Sequence, residues 1–202
     1  MSNLTFTKKL SSTQPRLKVY SYPLRKLTGL LFFLIACKSA LSGELKNSAF
    51  KWVQQKYPQC STQFSNKEIL PEHKKLILKK VGQEFYTSAL YQWKLNCPEG
   101  AYTAWVDNVM GRDLPITFAV IFDSLGRITQ TTVLKYREDY GGEVQSTRWL
   151  KQFIGKKESD GWVAGKDVEG ISGATISVHS LIKGHKKLAH LFALIHSTPG
   201  TK

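Results

Sequence analysis

A run of small and hydroxyl-bearing residues from Glu169 to Ser177 has the most specific chemistry in this sequence. It reads EGISGATIS, and a long segment with apolar residues at helical spacing follows from Thr175 onward. Small residues let a ligand approach the backbone, a hydroxyl supplies a hydrogen bond or an ester oxygen, and a helix N-terminus attracts anions. The segment therefore predicts a phosphate-binding position at the start of a helix. The residues equally allow a structural interpretation, in which Ser172 caps the helix and Gly173 forms a turn.

The chain before this segment predicts two helices and then a set of antiparallel strands. Apolar spacing indicates a short helix that stops at Pro58 and a second helix from about Pro71 to Val81. The lysines of the second helix are expected to form a solvated face, with contact to anionic lipid headgroups as the alternative. Alternating segments predict strands at 85–87, 91–95, 102–106, 116–122 and 128–136, the last two forming a hairpin.

Three further segments follow the strands. The turn Tyr136–Glu143 contains Gly141 and Gly142, which permit a close backbone approach. Residues 146–154 predict a short helix with an apolar stripe, and Thr175 begins a long C-terminal helix in which Gly184 is a point of weakness. The fold class predicted is α+β, an antiparallel β-meander packed with helices, in one domain spanning residues 43–202 with an N-terminal helical extension.

Residues 1–42 resemble an export leader. They contain seven Lys or Arg and no acidic residue, which is half of the net charge of +14, so the high charge is weak evidence for nucleic-acid binding. The apolar stretch 27–36 is shorter than the roughly 20 residues that span a bilayer. Its end resembles a bacterial lipoprotein box, which predicts lipidation of Cys37, although cleavage before Gly43 also suits the sequence. A cytosolic protein with a basic tail is the remaining interpretation.

The other two cysteines are expected to pair if the protein is exported. Cys60 and Cys97 would form a disulfide in an oxidising compartment, although the sequence does not prove the pairing. The chain has no CxxC or CxxCH motif, which argues against thioredoxin-like chemistry and covalent c-type haem.

No other constellation predicts catalysis or a metal site. The C-terminal histidines miss the i, i+4 spacing of a helical metal site, and no GxSxG motif is present. These histidines are His179, His185, His190 and His196.

Residues 100–185 resemble the FMN-binding domain found in the C subunit of sodium-translocating NADH:quinone reductases, the G subunit of Rnf complexes and many exported flavoproteins. The similarity rests on the hairpin, YREDYGGE at 136–143, WLKQF at 149–153 and ISGATIS at 171–177. In that family the threonine of SGAT commonly carries FMN through a phosphoester that a flavin transferase installs. By position this threonine is Thr175.

The resemblance also implies which residues surround the cofactor. The flavin ring would lie against the Glu138–Gly142 turn, with Trp149 or Tyr140 as a possible stacking partner. The family's attachment motif usually has Asp where this chain has Glu169, and Asp167 lies nearby. Both are candidates for recognition by the transferase. The implied cofactor-binding residues are Ile171, Ser172, Gly173, Ala174, Thr175, Ser177, Glu138, Gly141 and Gly142.

Together these observations predict an exported, membrane-associated flavoprotein of the bacterial periplasm that exchanges electrons with a membrane redox partner. The flavin would supply the redox chemistry, and the protein would set its position and exposure. Two alternatives remain: a flavin-dependent reductase of a small acceptor, and a non-redox lipoprotein scaffold that has lost FMN.

Overall fold

Five antiparallel strands form the centre of the structure, a computed structural model that describes residues 43–196. Each strand pairs with its neighbours in the chain, so the sheet is an open meander in the order β1 to β5. Together with the helices this is an α+β arrangement, and the predicted fold class is confirmed. The strands are β1 Ser61–Glu68, β2 Ala89–Cys97, β3 Gly100–Met110, β4 Pro115–Asp123 and β5 Ile128–Lys135.

The helices follow the predicted order. Helix α1 covers residues 43–56, and α2 is Pro71–Val81, with Pro71 in its first turn, where a missing N–H costs nothing. Between 142 and 153 lie the 3₁₀ turn Gly142–Gln145, the short helix α3 Thr147–Leu150 and the 3₁₀ turn Lys151–Phe153. The C-terminal helix α4 is Thr175–His196, and within residues 43–196 no helix is both long and apolar enough to cross a membrane.

Helix α4 is continuous through Gly184, which therefore does not interrupt it. A Cβ at this glycine would lie 2.6 Å from Val109 Cγ1 and 2.9 Å from Phe118 Cζ. The absence of a side chain thus lets the helix approach strands β3 and β4 closely, and packing compensates for the low helix propensity of glycine.

The sheet has an apolar core on each face. Trp105, Phe118 and Phe122 belong to the larger core, which also contains the buried residues of α2, α3 and α4. The opposite face packs Trp93, Leu95 and Ile121 against Ala49 and Val53 of α1. Successive side chains of a strand point to opposite faces, so one sheet serves both cores.

The sequence prediction was wrong for two segments. Residues 85–87 lie in the loop before β2 and not in a strand. Phe85 is nevertheless buried in the larger core, and the centre of its ring lies 4.4 Å from Lys187 Nζ. Strand β1 was not predicted because its sequence, STQFSNKE, is mostly polar and contains no fully buried residue. It is an edge strand, held by its pairing with β2.

A disulfide joins Cys60, just before β1, to Cys97 at the end of β2. The two Cα atoms are 4.3 Å apart, and the sequence separation is 37 residues. In the chain-entropy model, closing such a loop stabilises a fold by about 3–4 kcal/mol. The bond therefore fixes the polar edge strand, which buries little apolar surface of its own. The leader, its cleavage point and Cys37 lie outside the described residues.

Candidate functional site

Three segments meet at one end of the sheet around a cavity of about 450 Å³. They are the β3–β4 turn, the turn that follows β5 and the N-terminus of α4. In an antiparallel meander the end of β3, the start of β4 and the end of β5 lie at the same end of the sheet. This arrangement brings the first two segments together. The lining residues are Arg112, Asp113, Glu138, Asp139, Tyr140, Gly173, Ala174, Thr175, Ile176 and Ser177.

The N-terminus of α4 gives this cavity unpaired backbone donors. Thr175 is the first residue of the helix, and the Val178 N–H donates to the Ala174 carbonyl at 2.9 Å. The amides of the first turn before Val178 have no helical carbonyl to bind, and they carry the positive end of the helix dipole. Gly173 adopts a φ of 79°, and a Cβ there would meet no atom within 4 Å. The arrangement therefore suits an anion that approaches from the open side.

Tyr136 and Gly141 hold the turn after β5 against the helix start. The Tyr136 hydroxyl donates to the Tyr140 carbonyl and accepts from Ser177 Oγ at 3.0 Å. Gly141 has a φ of 79°, and a Cβ there would lie 2.9 Å from Ala174 Cβ. A side chain at position 141 would thus separate the turn from α4.

Glu138 connects the two turns. Its Oε1 accepts the backbone N–H groups of Asp113 at 2.9 Å and Leu114 at 3.0 Å. These bonds, that of Leu114 first, hold the pKa of the Glu138 carboxyl below its usual value. Glu138 is consequently an ionised structural clamp at neutral pH, and it does not supply a proton.

The charges of the cavity restrict where a phosphate fits. Its ionisable side chains are one base, Arg112, and three acids, Asp113, Glu138 and Asp139. A phosphate would be repelled by the acids, so the favourable position is the helix N-terminus. Exposed apolar surface lies beside it, since Tyr140 is 82% exposed and Ile176 is 50% exposed. The residues present thus fit a molecule with a phosphate at one end and a flat ring system at the other.

Several predicted site residues lie outside the cavity. Ile171 lines a separate depression, Ser172 is exposed before the cavity, and Gly142 begins a 3₁₀ turn. Trp149 is buried and does not line the cavity, so among the two suggested stacking partners only Tyr140 is adjacent to it.

The two acidic candidates for transferase recognition differ in availability. Glu169 has an exposed side chain. Asp167 Oδ2 instead accepts the Val163 N–H at 2.8 Å, and its carboxyl group lies so close to Gly161 that a Cβ there would be 2.5 Å away. The structure therefore leaves Glu169 free for a partner and uses Asp167 within its own loop.

The sequence reasoning did not identify Arg112, Asp113, Tyr136 and Ile176 as site residues. Arg112 and Asp113 follow Gly111 in a turn whose sequence has no functional motif. Only the pairing of β3, β4 and β5 brings that turn close to Thr175. Tyr136 could have been identified from the sequence, because it carries a hydroxyl group at the end of a predicted strand, directly before the glycine turn.

The histidines of α4 do not converge. His185 is buried, with its ring atoms 2.7 Å from Leu181 O and from Thr131 Oγ1. Burial lowers its pKa from 6.5 to about 4. His190 Nδ1 is 3.1 Å from Glu158, while His196 Nδ1 is 2.9 Å from Phe192 O. Each of these three histidine rings contacts a different partner within the fold.

Comparison with known proteins addresses the identity of this domain. Residues 111–190 match the FMN-binding domain family. No curated protein matches the chain. The matched span begins in the β3–β4 turn and ends within α4, so it includes all three segments that line the cavity. The match confirms the resemblance inferred from the sequence over this span, and it supports FMN as the cofactor.

Proposed function

We propose that this protein is an exported electron carrier whose FMN is attached through its phosphate to Thr175. The observation that carries the proposal is the position of Thr175. It is the first residue of α4, it is exposed, and it lines the cavity at the unpaired amides of the helix. A phosphodiester on its Oγ would keep one negative charge at the positive end of the helix dipole.

Neighbouring hydroxyls are less suitable for attachment. Ser177 is 5% exposed and its Oγ is bonded to Tyr136. Ser172 is exposed but does not line the cavity. Among the hydroxyl residues of 171–177, Thr175 alone combines exposure with a place in the cavity.

Attachment needs an activated donor, because ester formation from free FMN would have to expel water. A flavin dinucleotide meets this need, since its flavin phosphate is already in a pyrophosphate linkage. In such a transfer Thr175 Oγ would bond to the flavin phosphorus, its proton would pass to a base of the transferase, and the pyrophosphate P–O bond would break. A nucleoside monophosphate would leave, and no electrons would be exchanged.

The chain's own residues then position the cofactor. The amides of the first turn of α4 bind the phosphate, while Tyr140 and Ile176 offer apolar surface to the ring. The ionised Glu138 keeps both turns in place. When bound, the flavin supplies the electron-transfer chemistry.

Export and a membrane redox partner are supported by less direct features. The leader resembles a signal sequence. The disulfide between Cys60 and Cys97 fits an oxidising compartment such as the bacterial periplasm. A lipid on Cys37 would keep the carrier near membrane redox proteins. A mature protein that starts uniformly at Gly43 would contradict the lipid anchor.

Attachment is tested by co-expressing the full chain with a flavin transferase. We expect flavin fluorescence that survives denaturing electrophoresis and a peptide containing Thr175 with the added mass of FMN minus water. Thr175→Val should abolish the covalent signal, and Thr175→Ser should retain it in part.

The matched control is Ser180→Ala, which removes a hydroxyl of the same helix that does not line the cavity and should label like the natural chain. An unmodified Thr175 peptide in the natural chain would overturn the covalent proposal. Persistent attachment in Thr175→Val would assign it to another residue.

A further inference from the structure

The backbone of Glu169 is held on both sides by two side chains of the preceding helical segment. Gln152 Oε1 accepts the Glu169 N–H at 2.7 Å, and the Trp149 indole N–H donates to the Glu169 carbonyl at 2.8 Å. One residue thus has both of its peptide groups fixed by side chains, a pattern that specifies backbone position.

Between Glu169 and α4, Ile171 and Ala174 pack against the core, whereas the two glycines face open space. A Cβ added at Gly170 or at Gly173 would meet no atom within 4 Å. The first backbone bond after this stretch runs from the Ala174 N–H to the Ile171 carbonyl at 3.1 Å. The two side-chain bonds at Glu169 therefore define where the attachment segment begins.

The residues that make these bonds are themselves fixed. Trp149 is 5% exposed and packs edge-on against Phe153 at a centroid distance of 5.2 Å. Its backbone N–H is capped by Ser146 Oγ at 3.3 Å, and Gln152 Nε2 donates to its carbonyl at 3.2 Å. We call the two side-chain bonds from Gln152 and Trp149 to the Glu169 backbone the Glu169 clamp. The residues that form it belong to a packed helical segment.

We propose that Gln152 and Trp149 are positioning residues for flavin attachment, which fix Glu169 so that its carboxylate and the Thr175 hydroxyl meet the transferase at a set spacing. This inference rests on the proposed attachment at Thr175. A fixed segment lowers the ordering cost of reaching a reactive geometry. The depression of about 400 Å³ beside it, lined by Arg148, Gln152, Glu169 and Gly170, gives the enzyme access to this side of the segment.

The test measures the initial rate of flavin attachment to the full chain by a purified transferase. Gln152→Ala and Trp149→Phe each remove one bond to Glu169, and we expect kcat/KM to fall about tenfold or more in each. Gln152→Glu keeps the acceptor for the Glu169 N–H but loses the donor to the Trp149 carbonyl, so it should recover only part of the rate. The final labelled fraction should remain that of the natural chain, whereas partial unfolding would lower it.

Two matched controls are available. Trp162→Phe removes the indole N–H of a second buried tryptophan, 7% exposed, whose Nε1 has no hydrogen-bond partner among the described residues. Lys151→Ala alters the exposed neighbour of Gln152. Both should label at the natural rate.

A direct measurement of the clamp accompanies the kinetics. Amide hydrogen exchange at Glu169 should be slow in the natural chain and faster in Gln152→Ala. Unchanged attachment rates in both clamp variants, or equal loss in Trp162→Phe, would overturn the positioning role. A natural chain that accepts no flavin would instead defeat the proposed attachment itself, and the two failures are therefore distinguishable.

Discussion

The first turn and the middle of helix α4 place polar side chains in opposite environments. Its first turn exposes Thr175 to an open cavity with unpaired amides. Its middle buries His185 and Lys187 completely, with Lys187 Nζ 2.8 Å from Asp107 Oδ2 and 2.9 Å from the Glu84 carbonyl. The middle of the helix thus buries ionisable side chains, and each has a partner inside the fold.

The contrast shows why a perturbed group is not by itself a functional one. Burial raises the pKa of Asp107, an effect that the Lys187 ammonium opposes, and burial lowers that of His185. Neither group lines a cavity with room for a ligand next to Thr175. We therefore assign the buried groups in the middle of α4 to stability, and the first turn remains the place of the proposed flavin attachment.

The largest expected effect is the loss of the buried ion pair. Lys187→Met leaves the Asp107 carboxyl buried without its cation, and breaking such a pair costs about 3–5 kcal/mol. Urea denaturation should show this decrease in the free energy of unfolding. Lys183→Met, at an exposed position of the same helix, should change it by less than about 0.5 kcal/mol. Equal effects would contradict a distinct buried middle.

The second prediction concerns pH. The pKa of His185 is lowered from 6.5 to about 4, so between these values the unfolded chain binds a proton that the folded chain does not. Its contribution to stability is full above pH 6.5 and decreases as the pH falls, by at most about 3 kcal/mol. Below about pH 4 the loss levels off.

His185→Gln keeps hydrogen-bonding groups without titrating, so this variant should lose less stability than the natural chain on acidification. The difference between the two chains isolates His185 from other titrating groups, including Asp107, whose raised pKa acts in the opposite direction. His179→Gln, on the exposed side of α4, is the control. Parallel pH profiles for His185→Gln and the natural chain would refute the assignment.

Gly184→Ala tests how closely the middle of the helix is packed. The new methyl group would meet Val109 and Phe118 at less than ordinary contact distance. We expect a net loss of about 1–2 kcal/mol, because overpacking exceeds the gain in helix propensity. A stabilised variant in thermal unfolding would show that the helix and the sheet are less closely packed than described.

The smallest expected effect is at the proposed attachment residue. Thr175→Val changes an exposed side chain, so the free energy of unfolding of the flavin-free protein should change by no more than about 0.5 kcal/mol. A large loss in denaturant titration would mean that Thr175 has a structural role as well, and would weaken the contrast between the two parts of α4.

The sequence predicted those elements that have strong periodicity or a distinctive end. Helix α2 was predicted at about its observed bounds and the start of α4 at Thr175, because Pro71 and the small residues before Thr175 mark helix starts. Strand β1 was missed because a polar edge strand has no apolar alternation to detect. Residues 85–87 were predicted as a strand because aromatic residues such as Phe85 and Tyr86 are common in strands. The contact of Phe85 with Lys187 joins residues far apart in the chain, and no local pattern reveals it.

The candidate site was predicted only in part for a similar reason. Thr175 and the glycine turn belong to short motifs that are visible in sequence. Arg112 and Asp113 come to the cavity through strand pairing, and Glu138 is bound to the β3–β4 turn by backbone N–H groups. Partners that lie far apart in the chain cannot be derived from the motif alone.

The length of α4 has a practical consequence for immobilising this protein on a surface. A helix of 22 residues is about 33 Å long. Thr175 is at one end and His196 at the other, so a tether attached to the chain after His196 would hold the protein by the end opposite to the proposed attachment residue. With FMN on Thr175, as proposed, an electrode coated in this way would present the flavin outward, accessible to a soluble partner.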